Sequence, residues 1–289
     1  MIIWLASYPR SGNTWVRSFL SSILFSQDEK SGLINLHKIK QYPLRSHFKG
    51  LINDYKNIND IVNNWSNSQD IINLDGKIKI IKTHHLNCKI NDKNFTNLNN
   101  TLGVIYIVRD PRNVITSLKN HFSRSIEESK DFLFDDHKWL GVNWNKEKTK
   151  NSFSDQKDNN FPTLIGSWKN HYNLWKNTKN NFLLIKFEDL VLNPNFEFMK
   201  IISFLKKFLE IDINKKKLEN AIKLNSFKNH TIMEETKGFK EALINKKTGE
   251  KIKFFYLGPE NDWKKLLDKK IATEIESEFN KEMKELGYL

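Results

Sequence analysis

Residues 7–15 read SYPRSGNTW and follow the short apolar run IIWLA at positions 2–6. The apolar run predicts a buried strand, and residues 14–25 predict the helix after it. A tight turn of Gly, Ser and Thr at a helix N-terminus is typical of an anion site, because N–H groups there lack intrahelical partners and the helix dipole adds positive charge. Arg10 adds a planar cation that suits oxyanions. A Walker A motif has Lys where this chain has Asn13, so the turn predicts a phosphate-like ligand but not an ordinary NTPase.

Length and composition predict a single α/β domain over residues 1–289. The chain has 38% hydrophobic and 12% aromatic residues, which argues against disorder and supplies a sizeable core. The single cysteine, Cys88, excludes an intramolecular disulfide framework and favours a reducing, cytoplasmic compartment. No stretch approaches the ~18 apolar residues of a membrane span, and the first run lacks the length and basic flank of a signal peptide.

The formal net charge of +13 is compatible with nucleic-acid binding. Its Lys residues are interleaved with Asn, however, and charge runs are most often solvated faces. We therefore expect no nucleic-acid partner, and a small polyanionic ligand instead.

Strand and helix patterns alternate along the chain. Short runs rich in Ile and Val predict strands at 2–7, 78–83, 102–109 and 182–187, and helical patterns lie at 14–25, 111–124, 163–178, 196–209, 215–224 and 264–286. This alternation is typical of a mostly parallel sheet covered by helices, with the ligand beyond the carboxyl ends of the strands. The segments 28–76, 125–160 and 228–260 interrupt it, and we expect them to cover an acceptor pocket.

The second predicted strand ends in Lys82-Thr83-His84-His85. Alternation along a strand puts Lys82 and His84 on one side and His85 on the other. A cation and an imidazole that converge on one point favour oxyanion stabilisation beside a general base. For His85 alone, a structural role is the expectation.

The third strand ends in Arg109-Asp110-Pro111, and Ser117 lies about two turns into the next helix. A guanidinium and a hydroxyl at this point suit a second phosphate, whereas a structural ion pair between Arg109 and Asp110 is the alternative. The fourth strand ends in Phe187-Glu188-Asp189, whose carboxylates pair with the basic loops or orient a helix. No ligand spacing typical of a metal site is present, so no metal is expected.

In this order, the motifs resemble the cytosolic sulfotransferase family, whose members transfer the sulfuryl group of 3′-phosphoadenosine-5′-phosphosulfate (PAPS) to a hydroxyl or amine. The matching segments span essentially the whole chain: YPRSGNTW at 8–15, KTH at 82–84, VRDPRNV at 108–114 with Ser117, GSW at 166–168, FED at 187–189, NSF at 225–227, and Gly258 with DWK at 262–264. The resemblance implies a P-loop-containing three-layer α/β fold with a mostly parallel central sheet flanked by helices. PAPS would be the co-substrate and 3′,5′-adenosine bisphosphate (PAP) the product, with no metal.

The resemblance also implies roles for single residues. His84 would act as general base, Lys82 would stabilise the sulfuryl oxygens, and Arg10 would lie at the oxygen that bridges sulfate and phosphate. The residues Ser11, Gly12, Asn13 and Thr14 would surround the 5′-phosphate, and Trp15 and Phe227 would lie against the adenine. Arg109 and Ser117 would bind the 3′-phosphate. Phe187 and Gly258 are counted as cofactor-binding residues because they lie in the matching FED and C-terminal motifs.

The chain departs from the family pattern at several positions. Arg10 replaces a Lys and Phe187 a Tyr, and Tyr256-Leu257 stand where an Arg-Lys pair usually grips the 3′-phosphate. Lys251 or Lys253 would be the substitutes by proximity in sequence. The family's dimerisation motif is not recognisable in 265–273, so the sequence predicts no oligomeric state, and no motif identifies the acceptor.

Two other functions compete with a sulfotransferase. A P-loop kinase of nucleotides or small molecules would need a Walker Lys and a carboxylate for Mg²⁺, and neither is evident. A non-catalytic protein that binds adenine nucleotides or RNA would use the same basic loops and aromatic residues, but it leaves the Lys82 and His84 pair without a purpose.

Overall fold

Three of the four strands expected from apolar runs, Ile2–Ser7, Lys79–Thr83 and Thr101–Val108, are short and mostly buried. A computed structural model describes residues 1–25, 32–55, 57–141, 161–245 and 248–289. Parts of the three predicted acceptor-covering segments, at 28–31, 56, 142–160 and 246–247, lie outside the described residues. The described strands are β1 (Ile2–Ser7), β2 (Lys79–Thr83), β3 (Lys89–Ile90), β4 (Lys93–Asn94), β5 (Thr101–Val108), β6 (Trp139–Leu140), β7 (Thr163–Leu164) and β8 (Asn181–Lys186).

The described helices lie between and after the strands in chain order. They are α1 (Asn13–Phe25), α2 (Ile58–Asn63), α3 (Trp65–Asn73), α4 (Pro111–Phe122), α5 (Ile126–Phe134), α6 (Trp168–Lys176), α7 (Phe187–Leu192), α8 (Pro194–Leu205), α9 (Lys215–Leu224), α10 (Phe227–Lys237), α11 (Trp263–Leu266), α12 (Lys269–Glu278) and α13 (Asn280–Glu285). Short 3-10 helices lie at Gly32–Lys38, Arg45–Phe48 and Gly258–Glu260.

The chain divides into two compact units. The first comprises Met1–Tyr8, Ile39–Tyr106 and Asp136–Leu184, and the second comprises Pro9–Lys38, Ile107–Asp135 and Ile185–Leu289. The first unit holds β1 and β2 and all but the last two residues of β5 and of β8. The second holds α1, α4, α5 and the helices from α7 onward.

The first unit is built on a four-stranded sheet in the order β2-β1-β5-β8. β1 and β2 pair in parallel, in a register that runs from Ile2 opposite Lys79 to Ala6 opposite Thr83. All of β1 is buried, as expected of a strand covered on both faces. The core contains Trp4, whose ring centroid lies 5.6 Å from those of Tyr42 and Phe95 and 6.2 Å from that of Trp175 on α6.

The second unit is mainly helical. Phe19 of α1 stacks on Phe198 of α8, with their ring centroids 4.0 Å apart. α4 begins with Pro111 at its first position, and the side chain of Asp110 accepts the Arg112 N–H at 2.9 Å. This start agrees with the sequence, since Pro is favoured where the helix N–H has no intrahelical partner and Asp is a strong N-cap.

The predicted strands agree with the sheet strands to within one residue at each end, but several helix predictions are wrong. The pattern at 163–178 contains β7, and α6 begins only after Ser167, whose side chain caps it. The pattern at 264–286 is three helices, because Leu267 is extended and Asp268 caps a new helix. The supposedly irregular segment 228–260 includes most of α10.

Candidate active site

The turn between β1 and α1 contains two positive φ angles. Arg10 has φ 68° and Gly12 has φ 98°. The helix starts at Asn13, and the Gly12 carbonyl accepts the Trp15 N–H at 3.0 Å. Such a turn directs neighbouring N–H groups to one side and forms an anion-binding concavity. Positive φ at a residue other than glycine costs about 1–3 kcal/mol and is concentrated at functional sites.

Two hydrogen-bond donors between Ser11 and Trp15 are buried and have no partner among the described residues. The described residues offer no hydrogen-bond acceptor to the Ser11 hydroxyl or to the indole N–H of Trp15. Because buried polar groups are normally hydrogen-bonded, these two donors fit a ligand rich in oxygen and nitrogen acceptors. The donor set is therefore compatible with the nucleotide phosphate that the resemblance assigns to this turn.

Position 12 favours glycine for two reasons, its positive φ angle and the close approach of the Phe187 ring. A Cβ at this position would lie 2.6 Å from Cδ2 of Phe187. We expect Gly12→Ala to lower the free energy of unfolding by about 2–6 kcal/mol, the sum of backbone strain and overpacking, as measured by urea denaturation.

Gly50 provides the matched control for Gly12. It has φ 80°, and a Cβ there would meet nothing within 4 Å, so Gly50→Ala carries the backbone strain without the clash. Equal losses of stability in the two variants would show that contact with Phe187 does not constrain the turn.

Arg109, which directly follows β5, joins this turn to a distant segment of the second unit. Its Nη1 donates to the Arg10 carbonyl at 3.2 Å and its Nη2 to the Gly258 carbonyl at 3.0 Å. The guanidinium carbon lies 4.2 Å from the centroid of the Phe187 ring. At Gly258, with φ 50°, a Cβ would lie 2.2 Å from a ring carbon of Phe227. Five predicted site residues are thus brought together.

The side chain of Arg10 points to Ser117. Its Nε donates to the Ser117 hydroxyl at 3.0 Å and its Nη2 to the Phe254 carbonyl at 2.8 Å, and its Nη1 lies 3.4 Å from Nδ1 of His121. The guanidinium carbon is 4.5 Å from the centroid of the Phe254 ring. The guanidinium is therefore beside the predicted 3′-phosphate residue Ser117, whereas the resemblance implied the bridging oxygen.

Both arginines are cations in a low-dielectric environment. Burial, followed by the charge of Arg109, lowers the pKa of Arg10 to about 10. Burial likewise lowers the pKa of Arg109 to about 10. Both groups stay protonated at neutral pH, so this part of the second unit attracts anions.

The predicted adenine-binding residues have separate aromatic neighbours. The Trp15 ring centroid lies 6.0 Å from that of Phe187 and 5.7 Å from that of Phe198, in edge-on geometry. Phe227 lies edge-on to Phe255 at 6.2 Å. Each ring is thus held by packing, which favours a fixed orientation.

In the first unit, the end of β2 carries Lys82 and His84. Lys82 is buried, and its backbone is held by the N–H of Tyr42 at 2.9 Å. Nδ1 of His84 lies 2.7 Å from the Ser7 carbonyl. A carbonyl only accepts hydrogen bonds, so Nδ1 carries the proton, and in the neutral ring Nε2 keeps a lone pair. In this tautomer Nε2 is the basic nitrogen of the ring.

His171 on α6 holds the backbone of His84, a contact that sequence reasoning missed. Its Nε2 donates to the His84 carbonyl at 3.2 Å, and its Nδ1 lies 2.8 Å from the Tyr106 hydroxyl. Burial lowers the pKa of His171 to about 3, so the ring is neutral. The available signal was its place in the first turn after the Gly-Ser-Trp motif.

His85 is part of the core, in agreement with its expected structural role. Its ring stacks on Phe95 with centroids 4.2 Å apart and lies edge-on to Trp65 at 4.9 Å. The Trp175 indole N–H donates to its carbonyl at 2.9 Å. Burial lowers the pKa of His85 to about 3, so it stays uncharged at neutral pH.

The acidic residues of the site orient backbone and side chains. The Glu188 carboxylate accepts the Asp110 N–H at 3.0 Å and the Tyr288 hydroxyl at 2.9 Å, and burial raises its pKa. Asp110 pairs with the Arg112 guanidinium at 2.7 Å. The Asp110 carboxylate therefore binds Arg112, and its negative charge also acts on Arg109 through space.

The C-terminal Asp-Trp-Lys motif is attached to the start of α4. The Asn113 side chain accepts the Trp263 N–H at 3.0 Å, and the Arg112 guanidinium carbon lies 4.0 Å from the Trp263 ring centroid. Lys253, a predicted substitute at the 3′-phosphate, is exposed and pairs with Glu235 at 2.8 Å.

Among the described residues, no group of three or more His, Cys, Asp or Glu side chains is arranged to hold a metal ion. In the same part of the chain, none of the helices has the length and apolar character that a membrane span requires.

The turn and the buried arginines define an anion-binding α/β protein, and comparisons with known proteins identify its family. The sulfotransferase domain family matches residues 2–287. Curated relatives include sulfotransferase 2A2 of Rattus norvegicus, 27% identical over 187 residues, which are 62% of this chain and 56% of that protein. The 3-beta-hydroxysteroid sulfotransferase of Cavia porcellus is 24% identical and the amine sulfotransferase of Oryctolagus cuniculus 23% identical, over 96% and 98% of this chain and 82% and 81% of those proteins.

Solved structures share the fold. Mouse sulfotransferase SULT7A1 complexed with PAP has a TM-score of 0.60 at 19% identity, over 98% of this chain and 84% of that one. Retinol dehydratase in complex with androsterone and the inactive cofactor PAP has a TM-score of 0.59 at 16% identity, over 98% and 80%.

The chain belongs to the sulfotransferase family, since the family match covers nearly its whole length. It is an enzyme, a PAPS-dependent sulfotransferase. The resemblance, the α/β fold with its central sheet, and the class of reaction expected from the sequence are thereby confirmed.

Proposed function

We propose that this chain transfers the sulfuryl group of PAPS to a hydroxyl or amine of a small-molecule acceptor, with His84 as the general base. The observation that carries the proposal is the 2.7 Å contact between Nδ1 of His84 and the Ser7 carbonyl. A carbonyl only accepts hydrogen bonds, so this contact supports the tautomer with the proton on Nδ1, in which Nε2 is the basic nitrogen that would take the proton of the acceptor.

The residues that would hold PAPS lie in the second unit. The turn from Ser11 to Thr14 would bind the 5′-phosphate through its N–H groups, and Ser11 adds a buried hydroxyl. Arg109 would bind phosphate oxygens as a charged fork. The rings of Trp15 and Phe227 would lie against the adenine, beside the motif residues Phe187 and Gly258. When bound, PAPS supplies a sulfuryl group that is activated by its anhydride bond to phosphate.

Two side chains of this chain would take part in the transfer, one by accepting the proton of the acceptor and one by stabilising the negative charge of the sulfuryl oxygens. His84 would remove the proton of the acceptor at Nε2 and hold it as imidazolium. Lys82, at the end of the same strand, would place positive charge beside the sulfuryl oxygens. In a loose transition state with charge on peripheral oxygens, positioning and electrostatics carry most of the catalysis, which agrees with a site built from cations and N–H donors.

The acceptor would be a small molecule with a nucleophilic hydroxyl or amine. Two relatives are named for a 3-beta-hydroxysteroid and for amines, so both nucleophiles occur among sulfotransferases similar to this chain. We propose that the segments 28–76, 125–160 and 228–260 cover the acceptor, and a cytoplasmic location stays a prediction.

Thermal shift tests the donor class. We expect PAP to raise the melting temperature well above the shift given by ATP with Mg²⁺, because a ligand at 100 times its dissociation constant adds about 2.7 kcal/mol to stability. The measurement is differential scanning fluorimetry at matched nucleotide concentrations, with 5′-AMP as a further control. Equal shifts with PAP and with ATP and Mg²⁺ would contradict the donor assignment.

A further inference from the structure

We infer that Arg10 recognises the 3′-phosphate of the nucleotide together with Ser117, and that it sets the preference of this chain for nucleotides carrying that phosphate. The inference rests on the proposed donor site and deepens it. It differs from the resemblance, which implies that the Lys usual at this position lies at the bridging oxygen of the phosphosulfate.

The first support is the direction of the side chain. Nε of Arg10 donates to the Ser117 hydroxyl at 3.0 Å, so an anion bound by this hydroxyl is within reach of the guanidinium. Arg109, the other residue that the resemblance assigns to the 3′-phosphate, donates to the Arg10 carbonyl at 3.2 Å. Arg10 thus contacts Ser117 through its side chain and Arg109 through its backbone carbonyl.

The second support is the charge around Arg10. Its hydrogen bonds go to a hydroxyl, a backbone carbonyl and an imidazole nitrogen. The carboxylates that act on it through space are Glu234 and Glu241. Glu241 pairs with Arg17, and Glu234 accepts two backbone N–H groups. The guanidinium therefore keeps its charge for an anion, which is the favourable partner for a cation in a desolvated site.

The third support is the loss of the usual cations nearby. Tyr256 and Leu257 stand where the family pattern has Arg and Lys, and Tyr256 is half exposed. Lys253 is exposed and pairs with Glu235. Arg10 supplies a planar fork that suits a phosphate dianion better than a single ammonium does.

Glu234 acts as a positioning residue for this arrangement. Its two carboxylate oxygens accept the N–H groups of Phe254 at 2.7 Å and Phe255 at 2.9 Å. This fixes the Phe254 carbonyl, which lies 2.8 Å from Nη2 of Arg10, and the Phe254 ring beneath the guanidinium. The orientation of the Arg10 side chain is therefore fixed by contacts with α10 and with the segment before Gly258.

Arg10→Lys provides the decisive variant, because it restores the usual family residue. Binding of PAP and of 5′-AMP, which lacks the 3′-phosphate, is measured by isothermal titration calorimetry. We expect Arg10→Lys to weaken PAP binding roughly 10- to 100-fold and to change 5′-AMP binding by less than about threefold. Glu234→Gln should weaken PAP binding several-fold with the same selectivity. The control is Arg124→Lys. Arg124 is half-buried and packs its guanidinium on Phe122 and Phe132, and its substitution should leave both affinities unchanged.

Each other outcome counts against a distinct claim. Equal losses for PAP and 5′-AMP in Arg10→Lys would place Arg10 at the 5′ end and overturn the inference. Unchanged PAP affinity with a lower kcat would return Arg10 to the bridging oxygen and overturn it as well. If wild-type protein binds PAP no better than 5′-AMP, the proposed donor site itself fails. Melting temperatures of the unliganded variants show whether a loss of binding reflects unfolding.

Discussion

His84→Ala is expected to lower the rate of sulfuryl transfer by about 10²- to 10⁴-fold, the range that a positioned general base contributes. The substitution removes the imidazole whose Nε2 is the proposed proton acceptor and whose Nδ1 contacts the Ser7 carbonyl. PAP affinity should stay within about twofold, because the proposed PAPS contacts belong to other residues. The measurement is transfer from labelled PAPS to a hydroxyl or amine acceptor found by screening, alongside PAP calorimetry.

His37→Ala is the control for a general effect of losing an imidazole, since His37 is exposed on the 3-10 helix Gly32–Lys38. His85→Ala should lower the melting temperature by removing a ring stacked on Phe95. If His84→Ala keeps its activity and His85→Ala loses activity at temperatures where it remains folded, the assignment of the base is wrong.

Arg109→Ala should have the largest effect on nucleotide binding, a loss of PAP affinity of about 100-fold or more, since charge-assisted hydrogen bonds contribute about 1.5–3 kcal/mol each. The same side chain holds the carbonyls of Arg10 and Gly258, so its removal also releases the turn from the Gly258 segment. PAP calorimetry measures the loss.

Arg109→Lys keeps the charge but not the fork, and it should recover only part of the affinity. Arg124→Ala is the matched control, because Arg124 also packs its guanidinium on aromatic rings, those of Phe122 and Phe132. Wild-type affinity for PAP in Arg109→Ala would remove Arg109 from the proposed site.

The sheet was predictable because each of its strands holds a short apolar run, and in β1 and β5 nearly every residue is buried, which leaves little choice of conformation. Helix ends were less predictable, since they depend on single capping residues. Ser167 starts α6 after β7, and Asp268 starts α12 after an extended Leu267. α10 was missed because its apolar side chains do not recur on one face, so the pattern lacks the helical period.

Candidate site residues could be selected from the sequence, but their side-chain partners could not be predicted. Strand ends meet at one edge of a parallel sheet, which is enough to select Lys82, His84 and Arg109 from the sequence. The direction of Arg10 depends instead on the Phe254 carbonyl and on Glu234. These contacts link residues far apart in sequence, and no local periodicity reports them.

The close approach of Gly258 and Phe227 has an evolutionary consequence. The ring of Phe227 occupies the space that a β-carbon at position 258 would need, with 2.2 Å between them. The two positions therefore form an epistatic pair, in which the effect of a substitution at one depends on the residue at the other. In a mutational library that varies position 258 alone, we expect glycine to be the residue recovered among folded variants. In a library that varies both positions, a smaller residue at 227 makes room for other residues at 258.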